Sequence, residues 1–159
     1  MQSAKIPCPA VARNGNIYFM QPDPRTDKFR LYQAEFNGGQ DTQPQPLHFS
    51  DGETADFDPV VAPNESFIIF SSFRKPTPGQ QNALFVAFSN GHKWQAAVIF
   101  RPFLLGVESR LSLDLRTLYF TSDYPTMETL PKAQNSSAAS IPQQIWEVSL
   151  EGQSAMKPN

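Results

Sequence analysis

Between Phe57 and Ser72 the chain reads FDPVVAPNESFIIFSS: a short apolar run, a Pro-Asn turn and a second, strongly apolar run. The pattern predicts two antiparallel strands joined by a tight turn. It recurs on both sides, as PAVARNGNIYFM from Pro9 to Met20 and as SRLSLDLRTLYFTS from Ser109 to Ser122. The aromatic landmarks Phe19, Phe70 and Phe120 lie 51 and 50 residues apart. The turns are Arg13-Asn14-Gly15, Pro63-Asn64-Glu65 and Asp114-Leu115-Arg116. Asn, Gly and Asp suit such turns because they tolerate φ > 0 or bond their own backbone.

Each copy carries a predicted third strand, over 30–36, 83–89 and 144–150. Hairpin-type turns follow these strands: Asn37-Gly38-Gly39, Asn90-Gly91 and Glu151-Gly152. A fourth strand is readable over 44–49 and 93–100, while only a short tail follows the third copy. Four antiparallel strands per unit at this period predict an all-β chain of β-propeller blades. The blades run over about 8–49, 58–100 and 108–150, the last without its outer strand, in one partial propeller domain covering 1–159. The near-continuous apolar runs of the second strands predict strands covered on both faces by neighbouring blades. A β-sandwich is the alternative that the pattern leaves open.

Composition agrees with strands and turns. Thirteen Phe, four Tyr, two Trp and 15 Pro disfavour a helical chain. A formal charge of −2 gives no overall pull toward nucleic acid or anionic membrane. The single cysteine, Cys8, excludes an internal disulfide framework and a multi-thiolate zinc site. No segment approaches the ~18 apolar residues of a spanning helix, and the first residues show no apolar signal core. The expectation is a soluble chain without an export address.

Candidate chemistry follows loop length. The loops 21–29, 73–82 and 123–143 and the crossovers 50–58 and 101–108 all fall on one predicted face, and long loops are where binding residues gather. Asp51 to Asp58 carries four carboxylates in eight residues, without the spacing of a Ca²⁺ loop. Two readings stand. Asp56 and Asp58 open at the mouth of a central channel and accept hydrogen bonds from a cationic or polar ligand. Alternatively Asp58 caps the turn before its strand and its neighbours are solvated.

Glu108 and Arg110 hold the equivalent place in the third copy, with Cys8 near it in the first. Arg74, Lys75, Arg25 and Lys28 form basic spots suited to a carboxylate or phosphate, or are plain surface charges. The candidate ligand-binding set is therefore Asp56, Asp58, Arg74, Glu108 and Arg110. Alanine at Asp56, Asp58 or Arg74 is expected to weaken binding without unfolding the chain. No nucleophile elbow, H-E-x-x-H, phosphate-binding loop or dinucleotide fingerprint occurs, so no catalytic residue, metal ligand or cofactor is assigned. His48 and His92 stand too far from other ligand types to suggest a metal.

Asp58-Pro59-Val60-Val61-Ala62-Pro63-Asn64 followed by Phe67-Ile68-Ile69-Phe70-Ser71-Ser72 resembles the WD-like repeat of TolB-type β-propellers. That repeat reads approximately D-P-x-x-S-P-D-G, an apolar run, F-x-S and often an Arg, for which Arg74 stands one place late. The resemblance covers about residues 7–150. Glu65 and Leu115 replace the usual turn Gly, and Asp123-Tyr124 lacks the Arg. Such propellers are usually six-bladed, which implies that further blades or self-association cover the outer faces of these three. The resemblance implies an extracytoplasmic interaction platform for a protein, peptide or glycan. The second possibility is the propeller portion of a larger enzyme, gating a hydrolase or completing a site on the channel face.

Overall fold

A computed structural model describes residues 9–74, 82–91, 93–100, 107–122 and 144–150. Cys8, Lys75, His92 and the loop 123–143 lie outside them, as does the tail after the third copy. The described residues are all-β, without a helix, and form antiparallel sheets of which none is closed. None therefore offers a helix long and apolar enough to cross a membrane.

The first sheet orders β1 (Ala10–Val11), β2 (Ile17–Pro22), β3 (Phe29–Ala34) and β6 (Gln45–Pro46). A small hairpin, β4 (Phe36–Asn37) with β5 (Gln40–Asp41), stands apart from it on the Gly38-Gly39 turn. The second sheet holds β7 (Asp56–Val61), β8 (Phe67–Ser72), β9 (Ala83–Phe88) and β10 (Val98–Ile99). The third holds β11 (Val107–Leu111), β12 (Thr117–Ser122) and β13 (Gln144–Ser149).

Phe19, Phe70 and Phe120 each lie buried in the second strand of their sheet. The fourth strands are shorter than the sequence predicts, two residues each. Over 44–49 the cause is proline. Pro44 and Pro46 supply no N–H to a ladder, and the chain turns after Pro46, with Ser50 N–H donating to the Leu47 carbonyl.

The second sheet lies between the other two. Ile68, Phe70, Phe85 and Ala87 point toward Tyr18, Leu31, Leu47 and Phe49 of the first-sheet region. The alternate residues Ile69, Leu84 and Val86 point toward Leu118, Phe120, Trp146 and Val148. This is the period-two alternation of a strand with both faces apolar, and it explains why FIIF reads as a continuous run. On the side toward the first sheet, Phe49, Phe70 and Phe85 stack in series, with centroids 5.5 and 6.0 Å apart. On β12, Leu118 and Phe120 are buried against the second sheet, while Tyr119 on the opposite face is 39% exposed within this chain.

Turn geometry survives the sequence departures. Gly15, Glu65 and Leu115 all adopt positive φ, at 94°, 57° and 60°. Glu65 gains in return. Its carboxylate accepts hydrogen bonds from Asn14 Nδ2 (2.9 Å), Asn16 Nδ2 (2.7 Å) and the Tyr18 hydroxyl (2.7 Å), tying the second sheet's turn to the first sheet. Burial first, then this bond to Glu65, raises the Tyr18 phenol well above its ordinary pKa. Leu115 forms no such network. Leu115→Gly is expected to be more stable than Leu115→Ala by about 1 kcal/mol in urea unfolding, because both lose the isobutyl group and only alanine retains the left-handed backbone cost.

Candidate functional site

Among the described residues, the first long loop, the crossover after the first sheet and the end of β8 form one polar network built in two layers. In the first, Asp23 is buried just beyond β2 and receives Arg25 Nε (3.1 Å), the Arg25 backbone N–H (2.9 Å) and Arg30 Nη1 (3.0 Å). Hydrogen bonding from Arg25, side chain and then backbone, leads the influences that hold the Asp23 carboxyl down to about 2. The crossover that follows the first sheet is clamped from the same loop. Arg30 Nε donates to the Ser50 carbonyl and Arg25 Nη2 to that of Asp51 (2.7 Å). Thr26 Oγ1 donates to the Gly52 carbonyl (2.7 Å) and Lys28 Nζ to that of Glu53 (2.5 Å). Four successive carbonyls are satisfied by four side chains. The basic residues Arg25 and Lys28 thus hold the protein's own backbone.

Ser50 connects the layers. Its hydroxyl accepts from Leu31 N–H (3.0 Å) and donates to Asp56 Oδ2 (2.7 Å). Asp56 is fully buried; Ser72 Oγ donates to its other oxygen at 2.6 Å and Arg74 Nη2 to Oδ2 at 2.6 Å. Arg74 Nη2 also donates to the Phe49 carbonyl (2.5 Å), and its guanidinium lies 5.5 Å from the Phe70 ring centroid and 5.7 Å from that of Phe85. The two arrangements of Asp56 and Arg74, an open ligand site or a fastening of the fold, differ in what the carboxylate touches. Here both its oxygens are engaged internally. Alanine replacement is accordingly expected to damage folding, contrary to the expectation from sequence.

Asp58, farther along β7 than Asp56, and Glu108 and Arg110, on the first strand of the third sheet, stand outside this network. Asp58 and Glu108 occupy register shifts in β7 and β11 and have φ of 50° and 53°. Asp58 Oδ2 accepts the Glu108 backbone N–H at 3.2 Å, joining one irregularity to the next. Such a bulge residue leaves the ladder and turns its side chain to a new direction. The Glu108 carboxylate accepts from Thr121 Oγ1 (3.2 Å), and exposed Arg110 donates from Nη1 to the Ser109 carbonyl (2.7 Å). The five candidate residues therefore separate into an ion pair, Asp56 with Arg74, and a set at the bulges of β7 and β11, Asp58, Glu108 and Arg110.

Sequence reasoning missed much of this network, including Thr26 and Arg30, which hold the crossover, and Ser72, which bonds Asp56. Asp23, Ser50 and Gly52 stand in segments read only as loop. The signal available was Asp23-Pro24, an Asp before proline at a turn opening, but the contact of that loop with Ser50 to Glu53 is set by packing alone. It also missed the aromatic pair Phe57 and Phe73 beside the network. Their centroids lie 5.3 Å apart, and Phe73 is 49% exposed. Among the described residues, no group of three His, Cys, Asp or Glu side chains comes together as a metal site. Compared with known proteins, the chain matches no family model and no curated protein.

Proposed function

We propose that the chain is part of a TolB-like β-propeller acting as a non-catalytic binding module through its long-loop face. Three observations support the blade reading: three sheets whose second strands carry the landmark aromatics, positive φ at the matching turn positions 15, 65 and 115, and matching bulges at 58 and 108. A further sheet of the same kind is the partner proposed for the third sheet, where β13 is an edge among the described strands and Ile145 is 80% exposed. Covering that face buries apolar surface.

The observation that carries the binding reading is the Phe57–Phe73 pair. It sits half-exposed beside the crossover whose Ser50 to Glu53 carbonyls are already held, so that segment costs little to order when a partner docks. Rigid aromatic anchors of this sort dominate protein and peptide interfaces. The test is a displayed-peptide library selected against the chain and rescreened on Phe73→Ala. Loss of about tenfold or more in affinity, at an unchanged melting temperature, is the expected result for an anchor. Equal binding by the variant overturns the reading.

A further inference from the structure

Among the described residues, the first strands of the three sheets, β1, β7 and β11, are each paired on one side only. Together they line a groove of about 320 Å³. Most of its lining side chains are apolar, with Val11, Val60, Pro63, Leu111 and Leu113 prominent, polar surface lies among them, and Arg110 is the one charged residue in the lining. Val11 and Leu113 are 60% and 105% exposed, so the walls are wet and gain by being covered.

Arg110 differs from the arginines of the loop network. Arg25 and Arg30 are paired with Asp23, and Arg74 with Asp56. The Arg110 guanidinium donates once, to the neighbouring Ser109 carbonyl, and meets no carboxylate within ion-pair distance among the described residues. A guanidinium offers five donors in a fixed fork suited to a carboxylate. An added strand is a poor occupant, because Pro59 removes an N–H donor from β7 and the register shift between Phe57 and Val60 interrupts the regular edge that strand addition requires.

From this we infer that the groove binds a small amphiphile with an apolar body and a single carboxylate, the carboxylate seated on Arg110. At the ~30 Å³ that a water molecule occupies in the liquid, the space takes roughly ten non-hydrogen atoms. Octanoate, of that size, is the probe.

Octanoate is titrated calorimetrically into the chain at low salt, with octan-1-ol and octylammonium as comparators. Saturable octanoate binding, tighter than either comparator, is expected. Arg110→Gln should weaken octanoate by about tenfold or more while leaving octan-1-ol unchanged. Lys93→Gln, the same charge change at an exposed site away from the groove, should change neither. Val60→Trp should fill the groove and abolish both. Since Arg110 is exposed, its variant should keep the parent melting temperature, which separates lost binding from lost folding. Absence of saturable binding, equal affinity for octanoate and octan-1-ol, or an Arg110→Gln variant that binds octanoate normally each overturns the assignment. A neutral extended peptide that displaces octanoate at lower concentration overturns the ligand class. Phe73→Ala should leave octanoate binding untouched, so failure here and failure of the loop-face reading are separately visible.

Discussion

Arg74→Ala is expected to destabilise the chain by about 3 kcal/mol in urea unfolding at neutral pH, the low end for a broken buried ion pair. The low end applies because 21% of the Arg74 side chain remains in solvent, which screens the pair. Removing the guanidinium leaves the buried Asp56 carboxylate with only Ser50 and Ser72, and uncovers the Phe70 and Phe85 rings. The pH dependence distinguishes this cause from simple loss of packing. Burial outweighs the pairing with Arg74 and the serines and raises the Asp56 carboxyl above its ordinary value.

A carboxyl raised in the folded state takes its proton at a higher pH than in the unfolded chain. Stability from that group therefore grows as pH falls from the folded value toward the unfolded one. Without Arg74 the rise is larger and starts at higher pH. The deficit of Arg74→Ala should be full at neutral pH and shrink in mild acid. In an Asp56→Asn background, Arg74→Ala should cost less, with no such pH trend. Unchanged stability with lost ligand binding would return both residues to the role of a ligand site.

Gly52→Ala is expected to cost about 2–3 kcal/mol, more than the about 1–2 kcal/mol that a left-handed backbone alone imposes on alanine. Gly52 has φ of 78°, and a Cβ there would stand 2.7 Å from Asp23 Oδ2 and 2.9 Å from its Cγ. A carboxylate at the free end of a flexible side chain would swing away cheaply. Asp23 is held between Arg25 and Arg30, so it moves only by breaking those pairings. Gly38→Ala provides the reference: its φ is 60°, and nothing lies within 4 Å of an added Cβ. Urea unfolding of the two variants side by side isolates the contact term. Faster proteolysis over 50–55 in Gly52→Ala, and not in Gly38→Ala, should accompany it, because the crossover loses its clamp. Equal costs at the two glycines would show that Asp23 is not fixed.

The sequence by itself determined what repeats locally. Period-two alternation, aromatic landmarks and turn residues placed β2, β8 and β12 and the positions of their preceding turns, because strand pairing and turn sterics act over a few residues. Glu65 and Leu115 were legible as departures, but that both would keep positive φ was not. In each, neighbouring strands impose the turn against local preference. The candidate residues were legible as charged and near chain landmarks, and their partners were not. Asp56 with Arg74 spans eighteen residues, Arg30 with Ser50 twenty, and Asp58 with Glu108 fifty. No local pattern specifies such pairs.

Only the tertiary structure decided which charges are internal fastenings and which are open. The sequence alone does not distinguish an Arg that meets a buried carboxylate, as Arg74 does just after β8, from one beside a groove, as Arg110 is on β11. The difference lies in desolvation. Packing of the first sheet against the second removes water from Asp56 and makes a partner obligatory, while the three first strands leave Arg110 in solvent beside an apolar wall.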